Sequence, residues 1–154
     1  MVMKLGKLEQ ITDLRSIWKH EANDFTPWLA KEENLAALSD AIGIELVLEE
    51  QESNVGDFSV DLFATEEGTG RKVVIENQLE ETNHDHLGKI ITYASGKDAE
   101  VIIWIVRKAR DEHKKAIEWL NQHTDDSSAF FLIEIEVWKI GNSEPAPKFN
   151  IVER

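Results

Sequence analysis

The sequence predicts an α/β fold, a mixed central sheet flanked by helices, and three features of the 154-residue chain carry that prediction. Segments of period two alternate with segments of helical period, the order that lays helices on the faces of a sheet. One extended segment, VIIWIV at 101–106, is apolar throughout, as a strand covered on both faces is. A hydrophobic content of 42% beside 31% charged residues is the balance of a globular chain. This length suits one core, so residues 1–154 read as a single domain.

The first helical segment is DFTPWLAKEENLAALSDAIG at 24–43. Thr26 is its expected N-cap, Pro27 suits the first helical position, Gly43 suits the stop, and Asn34 is a point at which it can divide in two. IELVLEEQES at 44–53 then alternates as a half-buried strand. In DFSVDLFATEE at 57–67, strand geometry puts Phe58, Val60 and Leu62 on one side and Asp57, Ser59 and Asp61 on the other. Gly68 to Gly70 supply a turn into RKVVIENQL, a third strand with Val73, Ile75 and Asn77 on one face and Glu76 and Gln78 on the other. HDHLGKIITYASG at 84–96 switches to a helical stripe of Leu87, Ile90, Ile91 and Ala94, with Gly96 as the expected stop. After VIIWIV, the segment DEHKKAIEWLNQH is an amphipathic helix with Ala116, Ile117 and Leu120 inward and Asp111 as its cap. FFLIEIEVWKI closes the sheet as a half-exposed strand, and KFNIV in the tail adds a short edge strand behind Pro145 and Pro147.

Composition narrows the chemistry. There is no cysteine, which removes thiolate ligands, disulfides and cysteine nucleophiles and leaves His, Asp and Glu as metal donors. No apolar run approaches the roughly 18 residues that span a bilayer, and MVMKLGKLEQ has no apolar stretch of signal-peptide length, so the expected location is the cytoplasm with no membrane partner. The net charge of -13 opposes tight metal-free binding of a polyanion, because such binding rests on Lys and Arg displacing counterions. The excess of acid lies mainly before residue 81, and a basic stretch follows at Arg107, Lys108, Arg110, Lys114 and Lys115. That stretch is either a local positive rim for DNA or a solvated helix start. Trp28, Trp104, Trp119 and Trp138 fall in apolar patterns and read as core; His113 and His123 read as helix surface or cap. His84 and His86, at i and i+2, do not face each other on a helix, which argues against a histidine metal site.

Two strands joined by a short turn lie about 5 Å apart, so Asp61 and Glu76, pointing to one face, can share a divalent ion. Mg²⁺ prefers one or two carboxylates with waters and phosphate oxygens, which makes phosphodiester hydrolysis the natural chemistry. On the following helix His86, Lys89 and Tyr93, at i, i+3 and i+7, form a polar stripe beside the apolar one.

This pattern resembles the PD-(D/E)XK nuclease superfamily, whose restriction-endonuclease-like core runs helix, three strands, helix, strand. In that family an acid near the end of the second core strand is followed, after a turn, by an acid, any residue and a lysine. Asp61 and Glu76-Asn77-Gln78 occupy those places, an E-x-Q form of the motif. Gly56, VGDFSVDLFA, IENQ, HDHLGKIITYASG and EHKKAIEWLN are similar to one bacterial and archaeal branch, with the likeness running from about Glu21 to the end.

The resemblance implies a Mg²⁺- or Mn²⁺-dependent deoxyribonuclease in which Asp61, Glu76 and the backbone carbonyl of Asn77 hold the metal. It gives position 78 the task of orienting or activating the water. Glutamine can hold a water but cannot supply lysine's charge, so Lys89 is the candidate for the missing cation. In RecB-like relatives a glutamine and a tyrosine four residues apart sit on this helix; Lys89 and Tyr93 correspond to them here. Glu21 and Glu52 are candidates for a further acid, His86 for a supporting donor, and Arg107, Lys108 and Arg110 for DNA contacts. Two alternatives remain open at this point: a catalytically weak or inactive nuclease-fold domain that binds nucleic acid, and a protein-interaction module, including a homodimer.

Overall fold

The computed structural model describes residues 2–154. Its core is a seven-stranded mixed sheet flanked by helices, the α/β class expected. The elements in chain order are β1 (Leu8–Ile11), a 3-10 turn (Leu14–Ser16), a π-helical turn (Glu21–Phe25), α1 (Thr26–Ala30), α2 (Glu32–Ile42), β2 (Leu46–Val55), β3 (Phe58–Glu66), β4 (Lys72–Glu81), α3 (His84–Lys97), β5 (Val101–Lys108), α4 (Asp111–His123), β6 (Ala129–Ile140) and β7 (Ala146–Glu153). The strands lie in the order β1-β6-β5-β4-β3-β2, with β7 also paired to β6. Hairpins make β2, β3 and β4 antiparallel, whereas the helical crossovers α3 and α4 make β4, β5 and β6 parallel.

The sheet separates two apolar clusters. Val73, Ile75, Leu79, Val101, Ile103 and Ile105 face α1, α2 and the turns before them. Val74, Ile102, Trp104 and Val106 face α3 and α4. Strand β5 is therefore covered on both faces, and each large side chain so buried stabilises the fold by roughly 1.5–3 kcal/mol. α2 stops on Gly43, whose φ of 74° is a left-handed turn that costs glycine nothing.

Several expectations are corrected. The first helical segment divides at Lys31, which adopts extended ψ, and not at Asn34; the Asn34 side chain instead donates to the Trp28 carbonyl at 2.7 Å and so closes the end of α1. Thr26 is not the N-cap, because a π-helical turn leads directly into α1. α3 runs past Gly96 to a left-handed Asp98, and Gly96 is required for a different reason: a Cβ there would meet Val55 Cγ1 at 2.3 Å. The α4 N-cap is Arg110, with Asp111 inside the first turn. β6 is an interior strand, buried from Phe130 to Ile135, because β1 and β7 both pair with it. Trp119 is 57% exposed and stacks on His123 instead of joining the core. β2 terminates the sheet and carries Glu49, Glu50 and Glu52, charges that oppose edge-to-edge pairing with a second copy of the chain. Among the described residues no helix is long and apolar enough to cross a membrane.

The correction that matters most lies in β3. Val60 packs in the α3 cluster and Leu62 in the opposite one, so the strand does not keep a single alternation. Across from Asp61 the register sets Glu52, with Gln51 opposite Leu62 and Ser53 opposite Val60, and Glu52 has φ of 55°. That left-handed residue, after a bulge between Leu48 and Glu50, re-aims the hairpin at this level.

Candidate functional site

Pairing between β3 and β4 runs only from Thr65↔Lys72 to Leu62↔Ile75. Beyond it, the β4 backbone amides on this side require other acceptors, and two carboxylates meet them. Asn77 N–H donates to Asp61 Oδ2 at 2.7 Å, and Leu79 N–H donates to Glu21 Oε1 at 2.9 Å. Glu21 also pairs with Arg15 at 2.9 Å. The bend in β3 and the end of the β3/β4 ladder thus bring Asp61 beside Glu76, as strand spacing anticipated.

The two carboxyl groups lie close enough to act on each other's protonation, on the face covered by α3. Glu76 is 8% exposed, and its Oε2 is buried without a hydrogen-bond partner. Burial, then the neighbouring Asp61, push the Glu76 carboxyl up to about 10. Burial also raises Asp61, against the opposing effects of its hydrogen bonds, His86 and Lys89. Two carboxylates so close in a poorly solvated place hold a proton or a cation between them. Glu52, on the facing strand, is raised by burial and then by Asp61, and accepts from Ser59 Oγ at 3.4 Å.

From α3, Lys89 acts electrostatically on Asp61, Glu76 and His86, and it is exposed and in no ion pair among the described residues. His86 is half-buried over the same place; burial first, then Lys89, hold its ring below the usual range. Tyr93 is buried, and burial followed by the charges of Glu76 and Asp61 pushes its hydroxyl up. The stripe of His86, Lys89 and Tyr93 read from helical spacing therefore faces the carboxylate pair.

The chain superposes on the crystal structure of a repair endonuclease from Pyrococcus abyssi with a TM-score of 0.49 and 16% sequence identity. The match covers 68% of this chain and 47% of that one, so the chain spans about half the length of that protein. No family model matches the chain, and no curated protein matches it.

Gln78 shares the Glu76 face but is 0% exposed. Its Nε2 donates to the Glu81 carbonyl at 2.8 Å and its Oε1 accepts from Trp104 Nε1 at 3.2 Å. Both ends of the amide are engaged by the fold, so a water held by Gln78 would have to share these bonds. Asn77 points the other way, donating from Nδ2 to Thr26 Oγ1 at 2.9 Å, with its Oδ1 buried and unpartnered. The basic stretch is largely paired: Lys108 with Glu134 at 3.9 Å, and Arg110 with Glu81 at 3.7 Å and Glu112 at 3.3 Å.

Sequence reasoning missed one cluster. His113 is 3% exposed, not a surface or cap residue; its Nδ1 lies 2.7 Å from Thr82 Oγ1 and its Nε2 lies 2.9 Å from His84 Nδ1. Thr82 Oγ1 in turn accepts from Arg110 N–H at 2.9 Å. Burial first, then His84, hold the His113 ring below its usual range, so the neutral ring is favoured. His84 and His86 indeed diverge: one turns to α4, the other to the carboxylates. The signal available in sequence was His113 two positions after the start of α4, on the same side as Ile117.

Do these residues suit a divalent ion? Among the described residues no group of three or more His, Cys, Asp or Glu is gathered around one point. Two carboxylates with an unpartnered buried oxygen are nonetheless the donor set that Mg²⁺ accepts, since it keeps several waters and phosphate oxygens.

Proposed function

We propose that this chain is a divalent-metal-dependent nuclease that hydrolyses phosphodiester bonds in DNA at the Asp61/Glu76 pair. The observation that carries the proposal is the unpartnered, buried Glu76 Oε2 beside Asp61, with a free Lys89 above them. Asp61, Glu76 and the backbone carbonyl of Asn77 would hold Mg²⁺ or Mn²⁺. A cation bound there offsets phosphate charge and lowers the pKa of an attacking water. Asp61 keeps its orientation through the Asn77 amide, which leaves its other oxygen to the site.

In this reading Lys89 meets a non-bridging phosphate oxygen, supplying the positive charge that Gln78 lacks. Gln78 acts as a positioning residue: it ties Trp104 to the end of β4 and fixes the wall on which Glu76 stands. Glu21 braces β4 at Leu79, three residues along the strand from Glu76. Glu52 and His86 flank the pair and tune its charge. The acidic surface leaves affinity for DNA to the metal, to Lys89 and to Arg107, which like Lys115 has no ion pair among the described residues.

The test is cleavage of labelled single- and double-stranded DNA in Mg²⁺ or Mn²⁺ by the native chain, Asp61→Ala and Glu76→Ala, beside the rise in thermal stability on adding metal. Cleavage and metal stabilisation both lost in the two variants are expected. Metal stabilisation with no cleavage of any DNA would favour the second reading, a nucleic-acid-binding domain that has lost its chemistry, for which the fully engaged Gln78 amide is the supporting observation.

A further inference from the structure

At the start of β3, Phe58 is 61% exposed. Its ring stands 6.5 Å from that of Tyr93 at an interplanar angle of 40°, an open wedge and not a closed stack. Phe58, Gly88, Lys89, Thr92 and Tyr93 line a cavity of about 240 Å³. Gly88 has nothing within 4 Å of where a Cβ would stand, so the α3 backbone forms an open floor there. Pockets that enclose a whole drug-sized ligand run to about 300–1,000 Å³, so this one suits a single planar ring. Phe58 precedes Asp61 by three strand positions, about 10 Å along β3. Lys89 belongs to both places, lining the cavity and facing Asp61 and Glu76.

We propose that Phe58, with Gly88, Lys89 and Tyr93, forms a stacking site for one unpaired base of single-stranded DNA next to the phosphate that is cut. An aromatic face takes any base, and the exposed ammonium of Lys89 meets the phosphate that follows it. Bases inside a continuous duplex are already stacked on their neighbours and cannot enter. The deoxy form is carried over from the nuclease reading on which this inference rests. The substrate class is therefore DNA with a single-stranded segment at the cut: a free strand, a flap or an overhang.

This inference rests on the nuclease reading for what happens to the strand, so binding is measured apart from cleavage. In a Glu76→Gln background, which removes carboxylate repulsion and cleavage together, a single-stranded oligonucleotide carrying 2-aminopurine is titrated with the chain. Quenching of the fluorophore on binding is expected, with affinity falling about tenfold in Phe58→Ala, restored in Phe58→Trp, and unchanged by either for blunt duplex. Equal binding by Phe58→Ala, absence of binding to the single strand, or binding of only the ribo-oligonucleotide of the same sequence would overturn the proposal. Cleavage of the same strand by the native chain, and its loss in Asp61→Ala, decides the nuclease reading separately.

Discussion

On the face of the sheet covered by α3 and α4, two polar clusters lie a few residues apart along β4, and they differ in whether their hydrogen bonds are met. At the end of the strand Gln78, Trp104 and the Glu81 carbonyl form one closed set, and Thr82, His84, His113 and the Arg110 amide form another. In the middle of the strand Glu76 keeps an oxygen without a partner and shares its space with a second carboxylate. A completed buried network stabilises and specifies the fold; an incomplete one costs stability unless something outside the chain completes it. The difference separates a cluster that serves as scaffold from the one proposed as the site.

The largest effect expected is on chemistry. Asp61→Ala and Glu76→Ala each lower cleavage by at least about a hundredfold, in line with the several kcal/mol a metal supplies to a transition state, while His84→Ala leaves cleavage within about threefold. Rates on one labelled DNA strand decide this, and equal losses at both clusters would break the comparison.

Stability should order the clusters the opposite way. His113→Ala empties a buried position and strands the Thr82 hydroxyl, costing about 2–4 kcal/mol in urea unfolding. Glu76→Gln instead stabilises the metal-free chain near neutral pH, because the amide is uncharged in both states and avoids the cost of taking up a proton on folding. A native-like midpoint for His113→Ala would show that the network is not structural.

The pH dependence follows from the same carboxylate. Its folded-state pKa, about 10, lies above the ordinary value of 4.5. Between those values the folded state binds more protons than the unfolded one, so stability of the metal-free chain falls as pH rises, by at most about 1.4 kcal/mol per pH unit from this group. The benefit of the raised pKa is present at acid pH and is lost toward pH 10. Thermal unfolding in a chelator from pH 6 to 9 should show the decline in the native chain and a flatter line in Glu76→Gln.

A smaller effect sharpens the role given to Lys89. Lys89→Ala is expected to reduce cleavage about tenfold, with Lys89→Arg retaining most of it, since either cation can meet a phosphate oxygen. Unfolding midpoints of both variants should match the native chain because the side chain is exposed.

Much of the candidate site's arrangement was legible in the sequence because it depends on local periodicity. The turn at Gly68 to Gly70 sets β3 against β4, and the two-residue period puts Glu76 and Gln78 on one face; the 3.6-residue period then aims His86, Lys89 and Tyr93 at it. What escaped depends on contacts distant in the chain. The change of face between Val60 and Leu62 follows from the left-handed Glu52 across the hairpin, which no alternation rule registers. The partner of His84 sits 29 residues later on α4, and Glu21 reaches Leu79 across 58 residues. β1 escaped because only Ile11 of its four residues is even half-buried, leaving no apolar pattern. Gln78 sat on the expected face, yet its amide is taken by Trp104 and Glu81, partners its motif position does not reveal.

The central claim, that the Asp61/Glu76 pair is completed by a divalent cation, is tested most directly by titrating the metal-free chain with Mn²⁺ and following the free ion by electron paramagnetic resonance. One site per chain in the native protein, lost in Asp61→Asn and in Glu76→Gln but kept in His84→Ala, is the result predicted. Unchanged Mn²⁺ binding in both carboxylate variants, or none in the native chain, would contradict it.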